Sequence, residues 1–160
     1  MSANRIEIRC LVPGMYDERR AAGAMKPGHV VQVNSAGAVV VHATLGIPGE
    51  RLVVKEDALQ GKTVADAYAS GDLVPLIQGL PNDVLQLRVA AAAPAIVIGD
   101  KLTLAADGTV KKRTVTVDTY TDAGAGASTF AQEQAVFAIA DEAVDNSAGA
   151  SEVFIKARLR

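Results

Sequence analysis

The chain has 160 residues, of which 49% are apolar and 21% charged, and its formal net charge is −2. That composition belongs to a folded chain and excludes a disordered one. So balanced a charge lacks the basic excess of a nucleic-acid binder, and no apolar run reaches the length of a membrane span.

In chain order, Ile6, Ile8 and Cys10 alternate with Glu7 and Arg9, the period of a half-buried strand, until Pro13-Gly14 ends it. Residues 15–26 are rich in charge and small side chains and fit an arm, a loop or a short helix. His29-Val30-Val31-Gln32-Val33 predicts a strand, Asn34-Ser35-Ala36-Gly37 a turn, and residues 38–43 the returning strand. A turn at residues 46–49 leads to a strand at Arg51-Leu52-Val53-Val54. One short helix is predicted over residues 63–69, with Thr63 capping it, Asp66 in its first turn and Gly71 beyond its end.

Residues 72–78 return to strand character, with Pro75 implying an edge or a bulge. Leu85, Leu87 and Val89 alternate with Gln86 and Arg88 as a further strand, and Ile96-Val97-Ile98 predicts another. Asp107-Gly108 sits between Lys101-Leu102-Thr103-Leu104 and Thr109-Val110-Lys111 as a hairpin signal. Gly71-Asp72 and Gly99-Asp100 share one turn chemistry, glycine supplying the unusual backbone angle and aspartate bonding back to the following amides. Thr114-Val115-Thr116-Val117 predicts a strand, residues 121–129 a Gly/Ala/Ser loop, residues 136–140 a strand, and residues 153–160 a terminal strand. These elements define an all-β fold, mainly strands with one short helix, arranged as a compact barrel or sandwich. The organisation expected is an N-terminal strand and arm over residues 1–26 and a barrel-like domain over residues 27–160.

The apolar residues are mostly Ala and Val, with no Trp, three Phe and three Tyr, so each side chain buries little area. Such a chain is expected to lean on contacts with partners. Cys10 is the single cysteine, which excludes an intramolecular disulfide and fits a reducing compartment. The first residues lack the apolar stretch of a signal peptide, so assembly in a cytoplasm is expected.

No catalytic, cofactor or metal site is predicted. His29 and His42 lie in strands among apolar neighbours and read as surface or satisfied strand histidines. The doublets Glu56-Asp57 and Asp141-Glu142 point apart on a strand and lack the spacing of a calcium loop. The stretch from Gly124 to Thr129 lacks the ending of a phosphate-binding loop. Lys111-Lys112-Arg113 and the terminal stripe Lys156, Arg158, Arg160 read as solvated strand faces, the latter on an edge strand, with contact to an acidic protein surface as the alternative for each.

The stretch Ala58-Leu59-Gln60-Gly61-Lys62-Thr63-Val64-Ala65-Asp66-Ala67-Tyr68-Ala69-Ser70-Gly71-Asp72 resembles a segment of the capsid decoration, or cement, proteins of tailed bacteriophages. The order of later features fits the same family: Gly99-Asp100-Lys101-Leu102, Asp107-Gly108-Thr109-Val110, Phe137-Ala138-Ile139-Ala140-Asp141-Glu142-Ala143, then a basic strand. The resemblance covers residues 27–160 and implies a compact barrel or β-tulip, a homotrimer outside the phage head, and a major capsid protein as partner. It implies a structural virion protein that clamps neighbouring capsid subunits, assembled in the host bacterial cytoplasm, with no enzyme activity and no cofactor, nucleic acid, membrane or small-molecule substrate. A tail or fibre component or an adhesin-type module is the alternative. Capsid contacts are expected on Ile6, Ile8, Arg9, Tyr16, Arg19 and Arg20, because Tyr and Arg are favoured interface anchors.

Overall fold

The computed structural model describes residues 5–10, 16–44, 49–122 and 126–160, and only the backbone over residues 116–133. The turn expected at Pro13-Gly14, most of that at residues 46–49, and Gly124-Ala125 lie outside the described residues. The strands are β1 (Glu7–Arg9), β2 (Tyr16–Arg20), β3 (Val30–Val33), β4 (Val39–Val41), β5 (Leu52–Val54), β6 (Leu73–Gln78), β7 (Val84–Val89), β8 (Lys101–Leu104), β9 (Val110–Lys112), β10 (Val115–Asp122), β11 (Gly126–Glu133), β12 (Ala138–Ala140) and β13 (Val153–Leu159). The fold is all-β, as its residue pattern predicts.

The strands β7, β13, β12, β8 and β9 form a closed five-stranded barrel, because β9 returns to pair with β7 at Val89 and Val110. β1 lies on the outer side of β7. Alternation fills the barrel: Ile155, Ala157 and Leu159 of β13 face Leu87, Leu85 and their neighbours across the ladder, all of them fully buried. The second sheet runs β2-β6-β5-β3-β4, and a parallel bridge from Ala21 to Val39 brings its two ends together.

This second sheet is buried on both faces. Its central strands carry the adjacent apolar pairs Val30-Val31, Val53-Val54 and Leu76-Ile77, all at 2% exposure or less. Neighbours on a strand point to opposite faces. The row Val30, Val53 and Ile77 therefore joins the core of the closed barrel, while Val31, Val54 and Leu76 pack with Met25 and Tyr68 in a second core. Residues on both sides of position 26 contribute: Ile6 belongs to the first core, and Ala21 and Met25 to the second.

Arg88 of β7 fastens the two units. Its Nε donates to the Pro27 carbonyl at 2.7 Å, Nη2 to the Val64 carbonyl at 2.7 Å, and Nη1 to Glu152 Oε2 at 3.1 Å, while its planar face lies 4.5 Å from the Phe154 ring centre. Glycine is required at two points of this seam. Gly28 (φ +89°) accepts from the Arg88 amide, and a Cβ there would lie 2.8 Å from the Phe154 ring. Gly108 (φ +76°) accepts from the Val30 amide and donates to the His42 carbonyl, and a Cβ would lie 2.8 Å from the Val30 carbonyl oxygen.

Several expectations are corrected. No helix forms over residues 63–69; the only helical turn among the described residues is a 3-10 turn at Ala58–Gln60. Thr63 and Asp66 do make cap-like bonds, with the Thr63 amide donating to Asp66 Oδ2 at 2.7 Å. The helix stops there because Tyr68 exchanges backbone bonds with Met25 and sinks its ring into the second core. Pro75 is in an interior strand, between β2 and β5. The Lys55 amide donates to the Pro75 carbonyl, proline has no N–H to return, and the Lys55 carbonyl instead accepts the Tyr68 hydroxyl at 2.8 Å. β13 is interior as well, so its basic stripe is not on an edge.

Residues 96–98 form only a bridge from Ile96 to Val144, because the Val97 amide is held by the Asp100 carboxylate at 2.9 Å in a turn. The same device closes the Ala69 to Asp72 and Leu80 to Asp83 turns, so the aspartate bonds the amide three residues before it and not the following ones. Residues 121–122 and 126–129, expected in a loop, belong instead to β10 and β11, which pair from Val115 with Glu133 to Asp122 with Gly126.

Two predictions follow from the seam. Replacing Arg88 with Met takes one of three cationic partners from Glu152 and leaves two buried carbonyls without their guanidinium donor, so denaturant titration should show a loss of about 3 kcal/mol. Lys at this position, lacking the planar fork, should recover less than half of it. His29 is buried, and burial lowers its pKa from 6.5 against the opposing pull of Glu152. The unfolded chain therefore takes up the proton first, so this contribution to stability is complete above pH 6.5 and declines as pH falls below it. His29→Gln should flatten the stability profile between about pH 8 and about pH 5.

Candidate functional site

The residues expected to contact a partner do not form one patch. Ile6 is fully buried in the first core and contributes no surface, which corrects its place in the set. Two residues later, Ile8 is 46% exposed. The cause is a bulge: Glu7 lies opposite Leu85 and Arg9 opposite Val84, so β1 carries one residue more than its partner. The bulge turns Ile8 outward beside the exposed Arg9. On β2, Tyr16 and Arg20 are exposed on one face and Arg19 lies on the other. Arg19 pairs with Asp17 at 2.7 Å, and Arg20 donates to the Gly71 carbonyl at 3.0 Å. β1 and β2 are the outermost strands of their sheets.

Tyr16 ties the two outer strands together. Its hydroxyl donates to Glu7 Oε2, and that bond first of all pushes its pKa up to about 12. Lys55 Nζ sits 4.1 Å above its ring centre. Tyr16 thereby forms one wall of an open cleft of about 550 Å3 between β2, β6 and the segment from Lys55 to Gln60. Acidic groups outnumber basic ones in the lining, with Asp17, Glu18, Glu56 and Asp57 against Arg5 and Lys55. Asp57 holds the 3-10 turn by accepting from the Leu59 and Gln60 amides, and the turn projects Leu59 wholly into solvent, at 101% exposure.

A second open surface lies on the closed barrel, where Lys101, Lys112 and Arg113 surround Asp100 in a hollow of about 400 Å3. Lys112 pairs with Asp100 at 2.8 Å, and this bond, with the Val97 amide, holds the Asp100 carboxyl below its ordinary 3.8. Beside it stand Val97, Ile98 and Val115, all more than half exposed. The sequence pointed to Tyr16 on the first surface and to Lys112 and Arg113 on the second, but not to the apolar residues beside them. Leu59 carried a signal, a large apolar residue between turn formers and outside any period. Val97 and Ile98 were read as strand interior, and only the Asp100 turn turns them out.

Both histidines are engaged inside the fold. The Lys26 amide donates to His29 Nδ1 at 3.3 Å, which leaves the proton on Nε2 facing Glu152 at 3.3 Å. His42 Nε2 donates to the Thr44 carbonyl at 2.6 Å, and Nδ1 faces Gln32 at 3.2 Å. Burial pushes the Cys10 thiol up to about 12, with Glu7 adding to it, so it stays protonated. Among the described residues no group of His, Cys, Asp and Glu is placed to hold a metal ion. The chemistry these surfaces offer is adhesion through charge and exposed apolar area.

The architecture defines an all-β protein of three sheets with a closed barrel. One solved structure with this fold is the N base of the head fibre gp8.5 of bacteriophage phi29, 16% identical, with a TM-score of 0.50 over 91% of this chain and 92% of that one. No protein-family model and no curated protein matches the chain.

Stability should separate the two isoleucines. Ile6→Ala should cost about 2–4 kcal/mol in chemical denaturation, and Ile8→Ala should stay within about 0.5 kcal/mol of the parent.

Proposed function

We propose that the protein is a structural component of a tailed-phage virion that binds the outer surface of the head, contacts the major capsid protein as a homotrimer, and stabilises the lattice without catalysing a reaction. The observation that carries this reading is the likeness to the head-fibre base, which extends over nearly the whole of both chains. The resemblance of residues 58–72 to decoration proteins adds to it, and Leu59, the most exposed large apolar side chain among the described residues, falls within that stretch. The physical mechanism is linkage: a protein that binds the assembled shell and not its separated subunits stabilises the shell by its binding free energy.

The contact to the capsid is proposed on the outer strands, through Ile8, Arg9 and Arg20, which are exposed on a rigid support. Arg19 is turned back onto Asp17, and Tyr16 is occupied as a cleft wall. A second reading has its own support in the same likeness: the domain is the base of a fibre, which holds an appendage on the head and adds nothing to the strength of the shell.

Adding the purified protein to mature heads that lack it distinguishes the readings. A clamp should sediment with the heads and raise the temperature at which they open, and Arg9→Glu with Arg20→Glu should weaken binding about tenfold or more. Binding without a rise in that temperature supports the fibre base. No binding to heads contradicts both.

A further inference from the structure

The acidic cleft and the basic hollow share no residue and no strand. The first is built from β2, β6 and the segment from Lys55 to Gln60, the second from β8, β9 and the start of β10. Each combines an excess of one charge with exposed apolar side chains, an arrangement that water penalises when left uncovered and that suits a partner of opposite sign. The acidic side presents Leu59 and Tyr16; the basic side presents Val97, Ile98 and Val115.

We infer that these two surfaces are the halves of one contact between copies of this chain, the Leu59 turn of one copy seating against the Val97-Ile98 turn and Lys101 of the next. This deepens the reading of the protein as a virion module, since it assigns the surfaces through which the copies join. The occupant is a second copy because the complementarity is present within one chain: acidic excess around Leu59 and basic excess beside Ile98. The area suffices. A stable contact uses about 800 Å2 on each side, so two take about a fifth of the 8445 Å2 surface. Because the surfaces differ, the contact is head-to-tail; such a contact closes as a ring when its rotation closes and otherwise grows a filament, and the inference is of a closed ring such as a trimer. The outer edge of β1, with Ile8 and Arg9, lies outside both surfaces and stays available to another partner.

The test measures the mass of the full-length protein by sedimentation velocity over a range of concentrations. The parent should form a closed oligomer, loosened at high salt. Leu59→Arg on one side, and Val97→Ser with Ile98→Ser on the other, should each weaken association about tenfold or more, leaving monomers that keep the parent's far-UV circular dichroism and unfold cooperatively at a temperature that no longer depends on concentration. Mixing the two should restore association, but only as a one-to-one dimer, because each retains one intact half. A parent that stays monomeric, variants that keep the parent's mass, unlimited growth into filaments, or a mixture that fails to pair would each overturn the inference. Head binding is scored separately: a monomer that binds heads refutes only this contact, and a ring that ignores heads refutes only the head-binding role.

Discussion

A buried guanidinium sets the terms for this fold. Arg88 projects from the closed barrel into the second sheet's territory, with its residue only 5% exposed. Desolvation lowers its pKa and Glu152 opposes that shift, yet a guanidinium stays charged at any ordinary pH. A charge in that position is tolerable only if its donors are satisfied, and they are satisfied by Pro27, Val64 and Glu152 together. Pro27 and Val64 flank the second sheet's strands, so separating the two units would strand the charge. Gly28 and Gly108 let the backbones approach closely enough for the bonds to form. The outer side of β7 is covered piecewise as a result, by Ile6, Gly28 and Val110 in turn.

How much of this was legible in the sequence depends on how local each cause is. Adjacent apolar pairs such as Val30-Val31 and Val53-Val54 marked strands, and the Asp107-Gly108 hairpin stands where the pattern put it. What the pattern did not reveal is that both members of each pair are buried, because that requires a second layer brought in from elsewhere. Arg88 looked like the solvent-facing half of an alternating strand for the same reason. The cap signals at Thr63 and Asp66 were read correctly as bonds and wrongly as a helix, since the long-range pairing of Tyr68 with Met25 overrides a marginal two-turn segment. The start of β10 stands where Thr114-Val115-Thr116-Val117 put a strand, while its partner β11 was hidden by Gly126, Ala127 and Ala131, which look like a loop when the partner strand is not considered.

The candidate contacts were legible in part. Tyr16 and Arg20 do face outward, and Ile8 joins them through a bulge that alternation cannot foresee. Ile6 was assigned to the surface although its own alternation with Glu7 pointed inward. Leu59 and the Val97-Ile98 turn went unnoticed, because each owes its exposure to an aspartate that fixes the local backbone: Asp57 in one case, Asp100 in the other. The same aspartate-closed turns give the molecule stiff corners from which apolar side chains project.

The account stands on the two sheets moving as one body. Native-state hydrogen exchange tests this most directly, by comparing the amides of β7 and β13 with those of β3 and β5. Joined through Arg88, both sets should open with the same free energy, to within about 1 kcal/mol, and only in global unfolding. Exchange of β3 and β5 by a separate, lower-energy opening, while β7 and β13 stay protected, would contradict it.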